Sequence, residues 1–125
     1  PYVDFHRDLR MRIGGGPVLG LASAGGSAGH LINPAMRGFL REAADDCGVA
    51  LQEALFYGGT SDASAVHLVR DGIPTGVINI ARRYSHSPVE TLDLNDVVDT
   101  LVLLDTAARR FGPDVDLGFL TSAWG

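Results

Sequence analysis

The 125 residues carry a formal net charge of −5 and a pI near 5.1, with acids spread along the chain, which argues against the basic face that nucleic-acid binding selects for. All ten basic residues are arginine, so neither a Schiff-base lysine nor the lysine of a phosphate-binding loop is available. No apolar run approaches the ~20 residues of a membrane helix and no signal arrangement stands at Pro1; with Cys47 as the single cysteine, the chain reads as one domain from a reducing, cytoplasmic compartment.

In chain order, Pro1 to Gly16 mixes charge and aromatics and ends in three glycines, as a short strand and turn would. Asp4, His6 and Asp8 alternate there, so they share one face, readable as a metal cluster or as an exposed polar strand face. "PVLGLAS", from Pro17 to Ser23, is a buried strand. The following "AGGSAGH" fits neither glycine-rich nucleotide pattern and reads as a loop. Asn33-Pro34 starts a helix, with asparagine as cap and proline in the first turn. Met36, Phe39, Leu40, Ala43, Ala44 and Cys47 draw its apolar stripe, and Gly48 ends it. "VALQEALFY", from Val49 to Tyr57, is the next strand, "GGT" turns it into a helix from about Ser61 to Asp71, and Gly72 and Pro74 close that helix. "PTGVINIA" has the unbroken apolar look of a strand covered on both faces. Asp93 then caps a last helix whose expected buried face is Leu94, Val97, Val98, Leu101, Leu104, Ala108 and Phe111.

Strands alternating with helices imply a largely parallel or mixed sheet with helices on its faces. Ligands of such sheets bind outside the carboxyl ends of strands, which singles out two loops, "GGTSDA" (Gly58 to Ala63) and "RRYSHSPVE" (Arg82 to Glu90). His86 is a metal ligand, a general base or a hydrogen-bonded structural residue. Pro88 bars a helical pairing of His86 with Glu90, which either orients the imidazole or pairs with an arginine. Arg82 and Arg83 suit a carboxylate ligand or a solvated strand exit. Asp62 sits where a helix dipole favours it, and the amides at Thr60-Ser61 suit an anionic substrate end or a simple cap. His67 reads as structural, and His6 and His30 carry no catalytic expectation. One histidine does not make a catalytic metal site, which needs about three protein ligands.

The blocks "GGGPVL", "GGSAGHLINPAMRGFLREAADDCGVALQ" and "GGTSDASAVHLVRDGIPTGVINIARRYSHSPVETLDLNDV", in that order from about Gly14 to Leu104, resemble the C-terminal part of the tetrahedral, glutamyl- and leucyl-type aminopeptidases. This is a family of dinuclear metallopeptidases also called endoglucanase M. The resemblance implies a three-layer α/β/α mixed sheet of the zinc-aminopeptidase type, of which residues 1–125 are the C-terminal portion. It implies that His86 is the last ligand of a two-metal site holding zinc or cobalt. Gly59, Thr60 and Asp62 of the "GGTSDA" block, with Arg83 and Tyr84 beside His86, become candidates for binding a peptide substrate.

The family's other ligands and its catalytic glutamate belong to elements upstream of Pro1, as does its dimerisation domain, none of which this sequence contains. The resemblance therefore implies that these residues act with the remaining N-terminal part of the same protein, within a homo-oligomer (a dodecamer), and are inactive alone. A non-catalytic assembly subunit of the same fold and a related dinuclear deacylase stand as alternatives. Glucanase chemistry does not fit, because the loop supplies no pair of placed carboxylates.

Overall fold

The computed structural model describes residues 11–118. The Asp4–His6–Asp8 face lies outside the described residues. Within them, Arg12 to Gly15 form the expected turn, closed by the Gly15 amide on the Arg12 carbonyl at 3.3 Å. The elements that follow are β1 (Val18–Gly25), β2 (Ala28–Leu31), α1 (Pro34–Cys47), β3 (Gln52–Tyr57), α2 (Ala63–Val66), β4 (Val77–Asn79), β5 (Arg82–Arg83), β6 (Thr91–Leu92) and α3 (Leu94–Arg110).

All pairing in the four-stranded sheet runs through β1. One edge of β1 carries β3, parallel to it, from Val18↔Gln52 to Ala24↔Tyr57. The other edge is shared by two antiparallel strands, β4 along Val18–Gly20 and β2 along Ala22–Gly25. The sheet is therefore mixed, as expected. The "AGGSAGH" loop turns out to be a hairpin: Gly26, at φ +61°, makes the reversal, and Ala28–Leu31 returns along β1 as β2.

α1 begins and ends where the sequence indicates. The Asn33 side chain accepts from the amides of Ala35 and Met36 at 2.7 and 3.3 Å, and Gly48 terminates the helix in the left-handed region at φ +69°. Its stripe of Leu40, Ala43 and Ala44 packs with Leu19 and Ile32 and with Leu103 and Ala107 of α3. α1 and α3 thus cover one face of the sheet together. The opposite face, centred on Val18, Ala54 and Ala81, carries no long helix among the described residues.

Three expectations are corrected. α3 is capped by Asp93, whose Oδ1 accepts from the Asn95 amide at 2.8 Å, but it buries a different face from the one its apolar residues mark. The buried residues are Asp96, Thr100, Leu103 and Ala107, while Leu94 and Leu101 are 76% and 63% exposed. The cause is a polar contact. The Asp96 carboxylate, 1% exposed, accepts the Gly14 and Gly16 amides at 2.8 Å each, and the Thr100 hydroxyl donates to the Asp96 carbonyl at 2.6 Å. With its polar groups satisfied, this face can be buried. The apolar stripe of Leu94, Val98, Leu101 and Leu104 is left outward.

The second correction is α2, which is one turn long instead of reaching Asp71. Only Ala63 of it is buried, so no amphipathic face holds a longer helix, and Arg70 at φ +56° lies outside helical geometry. A four-residue helix offers little of the dipole invoked for an anion at Thr60-Ser61. The third is β4, which is only partly buried along its length.

Ion pairs join the layers. Glu53 on β3 takes a bidentate grip from Arg37 on α1 at 2.8 and 2.6 Å. Arg110 at the end of α3 reaches Glu42 at 2.9 Å and also Asp46, its guanidinium 6.0 Å from the centre of the Phe39 ring. The tail turns back as well, since Asn33 Nδ2 donates to the Leu117 carbonyl at 3.0 Å.

Two outcomes follow for this chain, both checked by urea unfolding. Asp96→Ala strands two amides and lowers stability by roughly 2–4 kcal/mol, whereas Leu101→Ala on the exposed stripe costs under about 0.5 kcal/mol. The Arg37 guanidinium holds the Glu53 carboxyl below its ordinary value, so its stabilisation is present above the unfolded value near 4.5 and is lost as pH falls through the lower folded value. Glu53→Gln therefore costs about 1 kcal/mol at pH 7, allowing for partial exposure, and the gap from the parent chain closes on acidification below that range.

Candidate functional site

A cleft of about 620 Å³ lies over the sheet face that carries Gly20 and Phe56. Gly59, Thr60 and Ser61, from the loop after β3, form one part of its wall; Arg82, Ser85 and His86, from the loop between β5 and β6, form another. The two loops expected from the sequence do line one site, though by a different geometry. Because β4 runs antiparallel to β1, its exit and the exit of β3 leave the sheet at opposite ends of β1. The cleft runs between them.

Arg82 and Arg83 pair with Leu92 and Thr91, so "RRYSHSPVE" forms the tip of a small hairpin. Glu90 clamps it. One carboxylate oxygen accepts the His86 amide at 2.7 Å, and the other takes the Arg82 guanidinium at 3.1 Å. Glu90 therefore pairs with an arginine and fixes the backbone of His86 rather than its imidazole. Arg82 also reaches Ser85 Oγ at 3.2 Å, and the Ser87 amide closes a turn on the Tyr84 carbonyl at 3.1 Å. Inside this clamp Tyr84 and His86 both adopt left-handed backbone, at φ +59° and +64°. Such conformations cost on the order of 1 kcal/mol or more in a residue with a side chain, and persist where the surroundings hold them. Among the described residues the His86 ring has no hydrogen-bond partner; both nitrogens are uncommitted.

The remaining candidates divide. Gly59 and Thr60 line the cleft; Asp62, Arg83 and Tyr84 do not. Asp62 stands at the start of α2 without a side-chain cap bond, and Tyr84 is 67% exposed. His67 is structural, donating Nδ1–H to the Ala63 carbonyl at 2.6 Å. Buried His30 donates Nε2–H to the Thr75 carbonyl at 3.0 Å and meets His67 edge-on, with ring centres 5.3 Å apart. Among the described residues no three histidine, cysteine, aspartate or glutamate side chains come together as a metal-binding group.

Sequence reasoning passed over Ser23 and Asn79, which also line the cleft. Asn79 left a signal, as the one amide inside the apolar run "VINIA". Ser23 left none, because its direction depends on an irregularity in β1.

The M42 glutamyl aminopeptidase family matches residues 4–103. The chain belongs to that family. The glutamyl aminopeptidase of Lactococcus lactis is 32% identical over 104 residues, covering 83% of this chain and 28% of the relative. The lysyl aminopeptidase of Pyrococcus furiosus is 33% identical over 102 residues, covering 81% and 28%. The chain thus spans under a third of the length of these curated relatives. Among solved structures, a TET aminopeptidase from a marine-sediment Thaumarchaeota archaeon superposes with a TM-score of 0.77 at 27% identity, over 85% of this chain and 29% of that one. The TET1 peptidase of Pyrococcus horikoshii, described as assembling into a tetrahedron or a large octahedral shell, gives 0.61 at 26%, over 78% and 27%.

The clamp can be checked by amide exchange. Removing the carboxylate in Glu90→Ala raises the exchange rate of the His86 amide by roughly tenfold or more, the equivalent of one hydrogen bond to a charged acceptor.

Proposed function

We propose that this chain is the C-terminal portion of the catalytic domain of a metal-dependent aminopeptidase, in which His86 supplies one metal ligand and the cleft receives the peptide. Family membership supports the reaction class. The observation that carries the site is the uncommitted ring of His86, mounted on a strained and clamped backbone in the wall of the cleft. A neutral imidazole with a free nitrogen suits zinc or cobalt. A bound pair of such ions would supply the activated water and polarise the scissile carbonyl.

This chain's own residues have simpler tasks. Glu90 and Arg82 hold His86 in place. Gly59 and Thr60 offer a wall with little side-chain bulk to the substrate, whereas Arg83, Tyr84 and Asp62 lie outside the cleft lining. The other ligands and the general-base glutamate come from the remaining N-terminal part of the protein, so the chain by itself is inactive. The outward stripe of α3 fits that division, because Leu94, Val98, Leu101 and Leu104 would be covered in a larger body. Assembly into a homo-oligomer, a dodecamer by the family resemblance, is supported by the tetrahedral or octahedral shell described for the Pyrococcus horikoshii neighbour. Among the described residues no helix is long and apolar enough to cross a membrane; we place the protein in the cytoplasm.

A glutamyl and a lysyl aminopeptidase match this stretch at nearly equal identity, so the resemblance by itself selects neither an acidic nor a basic substrate. Arg82 would be the cleft's natural anion grip, but Glu90 already holds it.

The test uses the complete protein. It cleaves aminoacyl p-nitroanilides and not N-acyl amino acids. His86→Ala lowers that activity by more than about a hundredfold and reduces the bound metal measured by elemental analysis, an effect larger than loss of a supporting outer contact. Full activity and metal content in His86→Ala would overturn the assignment.

A further inference from the structure

The cleft holds two polar groups that the proposed role of His86 does not use. Asn79 Nδ2 and Ser23 Oγ are both buried, and neither has a hydrogen-bond partner among the described residues. Buried donors without partners are rare and costly, and each calls for a reason.

Their placement is built into the sheet. Asn79 lies opposite Val18, with Gly20 diagonally beside it on the same face. A Cβ at Gly20 would come within 3.5 Å of Asn79 Nδ2 and 3.4 Å of the Phe56 ring, so glycine keeps the space between amide and ring clear of any larger side chain. Ser23 faces the cleft because of the register shift between Gly20 and Ala22. Strict alternation from Val18 and Gly20 would send Ser23 to the α1 side. The shift instead sets it opposite Phe56 on β3, while on its other edge it pairs with His30, and all three line the cleft. Bulges of this kind re-aim side chains next to functional sites.

We propose that Asn79 and Ser23 bind backbone carbonyl groups of an extended peptide lying along β1, an assignment that rests on the aminopeptidase reading. Asn79 Nδ2 can only donate, so its partner is an acceptor, and Ser23 Oγ–H donates as readily. Along β1, Ser23 and the Val18 position opposite Asn79 are separated by roughly 16 Å at ~3.3 Å per residue, the length of about five extended residues. The two groups lie toward opposite ends of the cleft floor, Asn79 toward the end where the chain leaves for the His86 loop. They therefore read the length of the substrate's main chain and leave its side chains to other residues.

The experiment compares penta-alanine with alanyl p-nitroanilide in the complete protein. Asn79→Ala and Ser23→Ala each raise the KM for penta-alanine about fivefold, the loss of one neutral hydrogen bond, with a smaller change for the anilide, which is too short to reach both groups. Asn79→Leu, with the same branched heavy-atom outline, removes the unpaired buried Nδ2, so it leaves the Tm of the free protein unchanged or higher while raising the KM for penta-alanine as Asn79→Ala does. A purely structural asparagine would lower the Tm and shift both substrates alike, and that result overturns the proposal. So does an unchanged KM for penta-alanine in active variants, which leaves the aminopeptidase reading standing. If the unmodified protein cleaves no aminoacyl p-nitroanilide, acidic, basic or apolar, yet binds penta-alanine in a manner lost in Asn79→Ala, the aminopeptidase reading falls and the peptide site stands. If it binds no penta-alanine, both fall.

Discussion

Every strand of the main sheet is hydrogen-bonded to β1, and the rest of the molecule depends on how that strand divides its two edges. One edge is given whole to β3. The other is split, with β4 along its first half and β2 along its second. That division sends the chain across from β3 to β4 and sets the two cleft-lining loops at opposite ends of one face. The single irregularity in β1, at Gly20–Ala22, lets a strand whose Leu19 packs against α1 also present Ser23 to the cleft. Core packing and site construction are thus two faces of one strand.

The His86 loop shows how a small polar contact can hold strained backbone. Two left-handed residues with side chains, Tyr84 and His86, stand within three positions of each other. The β5–β6 pairing closes the base of the loop with only two residue pairs. Glu90 supplies the remaining restraint by bonding at once to the His86 amide and the Arg82 guanidinium. The backbone that carries the imidazole is thereby held, while both ring nitrogens stay without a partner among the described residues.

α3 presents two unlike sides. Its buried side is tied by Asp96 to the amides of Gly14 and Gly16, and its apolar side faces outward. Soluble proteins seldom leave such a stripe uncovered. The chain matches under a third of the length of its curated relatives.

The sequence by itself determined what local chemistry governs. Asn33 and Gly48 bound α1, Asp93 starts α3, and the order of strands and helices gives a mixed α/β unit, because caps and periodicity act within a few residues. The motif order around His86 gave the family. The tertiary structure decided whatever depends on partners far along the chain. It turned α3 by its contact between Asp96 and two amides some eighty positions upstream, and it shortened α2 by leaving that segment without a buried face. It made the glycine-rich stretch a hairpin, and it chose Ser23 and Asn79 for the cleft through register and strand direction. A residue's own neighbours set its propensity, whereas the face it shows is set by what it bonds across the fold.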